Sequence, residues 1–297
     1  MTTANLFDQP GPKAARRITL FTIGAVVLIA IVVAYAVMEL AARGQFDAAR
    51  WSPLTNPKLI LFLLQGLLNT LGAAAVSLVL ALVMGIGLAI GRLSDVRFVR
   101  GPCVVIVELA RAAPVLLSML FLFLAFPLAF HIDLSAFWTV VLALTLYNGA
   151  AIAEIVRAGV LTLPSGQQEA AYAIGLRWWP TMRLVLLPQA LRVMLPGLIG
   201  QLIVLIKDSA LGFIVGYQEL AAQAQSAALL FNNPLQTYVV VGLVFVLLNS
   251  ALSWVSTYVS GRQVGADSRD QAITTVGLEP EAAAALRALD VERRMGR

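Results

Sequence analysis

The chain has 297 residues, of which 60% are hydrophobic and only 12% charged, with a net charge of +5. A soluble domain carries about 25% charged residues, so the excess apolar surface has to face lipid rather than a core. One cysteine and one histidine exclude a disulfide framework and a Cys/His metal site, and the basic residues are scattered between apolar runs instead of forming a nucleic-acid patch.

In chain order, Lys13, Arg16 and Arg17 precede an uncharged run from Ile18 to Met38. A secretion signal has an apolar stretch of about 7–15 residues, so this longer run reads as a retained first span, 18–41, behind a short N-terminal segment, 1–17. A helix crosses about 30 Å of hydrocarbon in about 20 residues. The next stretch, Leu59–Ile90, is longer than that, and Gln65 to Asn69 are expected to form an interfacial or tilted entry. The third span is expected within Gly101–Phe130, the fourth at Ser135–Val160, the fifth at Pro188–Phe213 and the sixth at Thr237–Ser260. The more polar Tyr217–Phe231, closed by Asn232-Asn233-Pro234, is expected to be a short helix along one membrane face. The tail, 261–297, holds six arginines and six acidic residues, with a helix expected at Glu279–Arg294. Most arginines and lysines fall on one side if both termini are cytoplasmic, which the positive-inside bias requires. The expected fold is therefore an all-α integral membrane protein with about six spans.

The segment after span four carries the most specific motif. It reads Gln167-Gln168-Glu169-Ala170-Ala171-Tyr172-Ala173-Ile174-Gly175 and continues to Val185-Leu186-Leu187-Pro188. It resembles the EAA loop of bacterial ABC-importer permeases: Glu-Ala-Ala, three residues, Gly, nine residues, an aliphatic, one residue, Leu-Pro. Val185 stands where that family usually has isoleucine. Gly66-Leu67-Leu68-Asn69-Thr70-Leu71, Glu108-Leu109-Ala110-Arg111-Ala112-Ala113-Pro114, Ala153-Glu154-Ile155-Val156-Arg157 and Leu205-Ile206-Lys207-Asp208-Ser209 are similar to segments of its polar amino-acid branch. Ala112 and Ala113 replace that branch's Gly-Thr. The extra first span and long tail look like actinobacterial glutamate permeases.

The resemblance implies a five-helix permease core, 59–260, preceded by one further span. The coupling loop would be 164–188, with Glu169, Ala170, Ala171, Gly175, Leu187 and Pro188 at the contact with a partner ATPase. It implies two copies of a cytoplasmic ATPase, a second permease subunit of related but different sequence, and an extracytoplasmic amino-acid-binding protein. ATP and magnesium belong to the ATPase: this sequence has no Gly-x-x-x-x-Gly-Lys-Ser/Thr loop. No catalytic or metal residues are expected. The implied job is ATP-driven import of a polar amino acid, glutamate or another acidic one first, by alternating access in a bacterial plasma membrane. An ion-coupled secondary transporter or channel is the alternative; it leaves the coupling-loop motif unexplained.

Charges at membrane depth are costly and point to function or pairing. Glu108 with Arg111, and Glu154 with Arg157, have the i,i+3 spacing that lets neighbours pair. Lys207 and Asp208 are adjacent, so they face different partners, and Lys207 is either a substrate-carboxylate contact or one half of a protein ion pair. Asn148 is expected to make an interhelical hydrogen bond or line the path. Gly87 and Gly91, with Gly85 nearby, are expected to admit a close helix.

Overall fold

The computed structural model describes residues 11–275, with side chains described for 11 and 13–258. Every regular element among them is helical. In chain order these are α1 (Pro12–Ala42), α2 (Ala48–Trp51), α3 (Pro57–Leu93), α4 (Arg97–Ala112), α5 (Val115–Leu120), α6 (Phe126–Phe130) and α7 (Ala136–Leu161). They are followed by α8 (Ser165–Ala173), α9 (Trp178–Thr181), α10 (Leu187–Ser209), α11 (Leu220–Leu230) and α12 (Pro234–Thr275). Five segments are long and apolar enough to cross a membrane, or six if a bent pair counts as one. The helix expected at Glu279–Arg294 lies outside the described residues.

α1 stands alone. Its apolar side chains, from Ile18 to Met38, are exposed all round, and the connection that follows it is what ties it to the rest. There Asn233 donates to the Arg50 carbonyl at 3.1 Å, and the Gln236 amide donates to the Gln45 carbonyl.

α3 starts at a proline, and the Asn56 side chain accepts from the Lys58 amide at 2.9 Å. It then runs unbroken for 37 residues, about 55 Å at 1.5 Å per residue. Gln65–Asn69, expected as an interfacial or tilted entry, belong to this continuous helix. Its polar side chains are used to fasten the chain after α10. Asn69 donates to the Gln218 carbonyl at 2.7 Å, Tyr217 to the Asn69 carbonyl at 2.8 Å, and the Leu220 amide to Thr70 Oγ1 at 3.1 Å. Glu219 caps α11 through the amides of Ala221 and Ala222, at 2.8 and 2.6 Å. Burial pushes the Glu219 carboxyl up, and those two amides draw it back down.

α7 is the central helix, with 67% of its most apolar window buried. Ser135 caps it by accepting from the Trp138 amide. It lies so close to α3 that a Cβ on Gly85 would sit 2.6 Å from the Ile152 side chain and 2.7 Å from the Gly149 carbonyl. Small residues are what allow such an approach between membrane helices. Gly91 likewise admits the Cys103 side chain of α4, whereas a Cβ on Gly87 would meet nothing within 4 Å. The expected contact at Gly87 is thus displaced to Gly85. Gly85→Val is expected to cost about 1–3 kcal/mol of overpacking, read as a lower Tm and yield in detergent. Gly87→Val, with the same β-branched side chain, should leave both unchanged.

The third span, expected within Gly101–Phe130, is not one continuous helix. α4 and the stretch Val115–Phe130 meet at 100°, because Pro114 disfavours helical backbone at Ala113, which is extended at φ −78°, ψ 123°. Two further prolines widen their helices. Pro127 and Pro188 each follow a π-helical turn, Phe121–Ala125 and Met182–Leu186, and such turns accommodate a residue that cannot donate its own hydrogen bond. The fifth span therefore begins earlier than expected and runs over Trp178–Val215. α12 continues past the expected end of the sixth span, to Thr275.

Among the described residues, the two larger of three apolar clusters hold the bundle. Met119, Leu144 and Leu205 lie in one; Val107, Ile152, Val156 and Met194 lie in the other, nearer α8. α7 contributes to both, so the ends of the bundle are linked through one helix.

Candidate functional site

α8 projects from the end of the bundle where α3 and α7 finish. The chain leaves α7 at Thr162, and Pro164, at φ −57° and ψ 134°, is the non-helical residue from which α8 starts at Ser165. No side chain caps α8, and Glu169 falls in its second turn, beyond the first turn where the helix dipole acts. Glu169 and Ala170 are exposed, while Ala171 is buried against the bundle.

Gly175 ends this helix. Its φ is +85°, its amide donates to the Tyr172 carbonyl at 2.9 Å, and the Leu176 amide donates to the Ala171 carbonyl at 3.1 Å. That pair of bonds is the Schellman termination, which needs a left-handed residue and so favours glycine. Beside α8 lies a cleft of about 320 Å³, lined among others by Leu93, Asp95, Gln168, Tyr172 and Trp178. Gln189 of α10 donates to the Gln167 side chain at 3.1 Å, fastening the helix from its other side. Leu187 and Pro188 are not in the loop: they form the first turn of α10, after its π-helical turn, with Leu187 packed on the second apolar cluster.

The charged residues group differently from the i,i+3 expectation. Glu154 and Arg157 do pair, at 2.5 Å. Glu108, however, pairs across helices with Arg92 at 3.5 Å rather than with Arg111. Arg92 also reaches Glu154 at 2.7 Å, and its own side chain is only 10% exposed. Arg111 has no ion pair within 4 Å among the described residues. Nothing in the neighbours of Arg92 along the chain marks it as the joint of three helices.

Lys207 and Asp208 lie near the far end of α10, about 30 Å from its start. Lys207 is exposed and Asp208 half-buried, and neither has an ion-pair partner on another element among the described residues. Asn148 is buried and donates to the Leu144 carbonyl at 2.9 Å while accepting from Gln201 at 2.9 Å. That is an interhelical tie between α7 and α10, and both groups of the amide are engaged. The described residues contain no cluster of three or more His, Cys, Asp or Glu side chains that could hold a metal.

The model of the family described as "binding-protein-dependent transport system inner membrane component" matches residues 77–264. The chain is 40% identical over 245 residues to the glutamate transport system permease protein GluD of Corynebacterium glutamicum, covering 82% of this chain and 90% of that one. It is 32% identical over 212 residues to the glutamine transport system permease protein GlnP of Escherichia coli K12, covering 71% and 94%. Among solved structures, an amino acid ABC transporter superposes with a TM-score of 0.64 at 26% identity, covering 69% of this chain and 95% of that one.

Proposed function

We propose that this chain, which belongs to the family of binding-protein-dependent transport system inner membrane components, imports an acidic amino acid, glutamate first, by alternating access. As an amino-acid ABC transporter permease it is a non-catalytic translocation subunit, and its family implies an ATPase and a binding protein as partners. In this reading α8 docks on the ATPase through Glu169 and Ala170, and Gly175 sets the angle at which the chain returns to the bundle. Two ATPase copies, with ATP and magnesium, and a second permease chain of related sequence complete the complex. Both termini and α8 face the cytoplasm of a bacterial cell.

The observation that carries the acidic-substrate reading is Lys207, an ammonium on a membrane span with no ion-pair partner on another element among the described residues. Such a group at membrane depth needs a counter-charge or water. A substrate carboxylate passing along that face supplies one. One cation suits the α-carboxylate of any amino acid; the 40% identity to a glutamate permease supports the preference for a second carboxylate.

The test is uptake of labelled glutamate by proteoliposomes holding the whole complex. Uptake is expected to require ATP and to be competed by aspartate more strongly than by neutral amino acids. Uptake driven by an ion gradient without ATP would favour the secondary-transporter reading instead.

A further inference from the structure

Arg92 joins three helices at one point. It is the penultimate residue of α3, and its guanidinium bonds Glu154 of α7 at 2.7 Å and Glu108 of α4 at 3.5 Å. Glu154 is held a second time by Arg157, one turn closer to α8. Seven residues separate Glu154 from the end of α7 at Leu161, about 10 Å at 1.5 Å per residue. Leu93, the neighbour of Arg92, lines the cleft beside α8 together with Val160 and Leu161 of α7. A shift of α8 is therefore delivered first to the two helix ends that Arg92 ties together.

On the other side, α4 is built to move. It is separated from the rest of its span by the break at Ala113–Pro114 and stands at 100° to it. Near Arg92 it meets α3 through Cys103 and Val99, both of which lie over Gly91. Apart from Val107, none of its side chains is fully buried. A mostly exposed helix beyond a proline break, tied to its neighbours by an ion pair, has the makings of a two-position element.

We propose that Arg92 is a positioning residue that relays movement of α8 to α4, holding α4 against α3 and α7 until α8 shifts. This rests on the reading of α8 as the ATPase contact, but the holding of α4 does not. Arg92 is suited to the task because a planar guanidinium can serve two carboxylates on different helices at once, which an ammonium does less well. Its loss should not prevent folding. Glu154 keeps Arg157, and Glu108 is 59% exposed and can be solvated, so no carboxylate is left buried and alone.

The experiment uses the full permease in its complex, with Arg92→Gln, Arg92→Lys and the doubly neutral Arg92→Gln/Glu154→Gln. The native Cys103 is the reporter of α4 position, read as its rate of alkylation by a small maleimide in membranes. Arg92→Gln is expected to raise that rate several-fold and Arg92→Lys to raise it less. In the reconstituted complex, Arg92→Gln should raise ATP hydrolysis without substrate and shrink the stimulation by loaded binding protein, at unchanged subunit yield. Unchanged Cys103 alkylation in both Arg92→Gln and the double variant overturns the holding of α4. Raised alkylation with an unchanged ratio of stimulated to basal hydrolysis overturns the relay. If the wild-type complex shows no ATP-driven uptake, the transport reading falls, while Cys103 alkylation still decides whether Arg92 holds α4.

Discussion

A complex carrying Gly175→Pro is expected to assemble at wild-type yield and to lose about tenfold or more of its uptake, with ATP hydrolysis no longer stimulated by substrate. Two losses coincide at this position. Proline holds φ near −65°, whereas the chain here needs +85°. It also has no amide to donate to the Tyr172 carbonyl, a bond now 2.9 Å long. The Schellman termination cannot form, so α8 leaves the bundle at another angle. A change of 1.4 kcal/mol in the energy of the coupled conformation corresponds to about a tenfold change in rate. The lesion is exposed and lies outside the spans, which is why assembly should survive. Gly175→Asn is the control, because asparagine tolerates left-handed backbone better than other side chains; near-normal uptake is expected. Uptake by Gly175→Pro at the wild-type rate would remove α8 from the coupling path.

The second large effect is expected at Lys207. Lys207→Met keeps the length and apolar stem of the side chain and removes its charge. No carboxylate of the described residues pairs with it, so the substitution leaves no protein charge stranded. Complex yield should therefore be unchanged. The apparent affinity for glutamate uptake should fall by about tenfold or more, since a hydrogen bond to a charged group is worth about 1.5–3 kcal/mol. An assembled complex with unchanged apparent affinity would end the substrate role of Lys207. Poor assembly, restored by neutralising a carboxylate on another subunit, would instead make it an interface residue.

The sequence exposed those features whose causes lie within a few residues of each other. An uncharged run long enough to cross a membrane is visible by itself, and α7 begins at the Ser135 from which its span is read. Glu154 and Arg157 are one turn apart, and Gly175 follows a short polar helix. What was not legible depended on residues far apart in the chain. Arg92 meets Glu154 across 62 residues, and Asn69 meets Gln218 across 149. The polar side chains at Gln65–Asn69 suggested a membrane surface because the group they bond, the chain before α11, could not be seen. The bend at Ala113 had a local signal, Pro114 and the three charges of the Arg97–Glu108 stretch, but a proline is equally compatible with a mild kink. The 100° of the bend is not readable from that local signal. The contact at Gly85 rather than Gly87 is a matter of which side of α3 faces α7, and an almost uniformly apolar helix carries no periodic marker of that face.

The isolation of α1 has a consequence for how this protein can drift in sequence. Among the described residues α1 has no packed neighbour whose shape it must match, so within this chain each of its positions asks only for an apolar side chain and the whole asks only for sufficient length. Its amino acids are nearly interchangeable in order. α7 is the opposite case: Gly149 faces Met84, Gly159 faces Met194 and Asn148 faces Gln201, and no two of these could trade places. Across related chains the first helix should therefore keep its hydropathy while losing its letters, and the central helix should keep its letters.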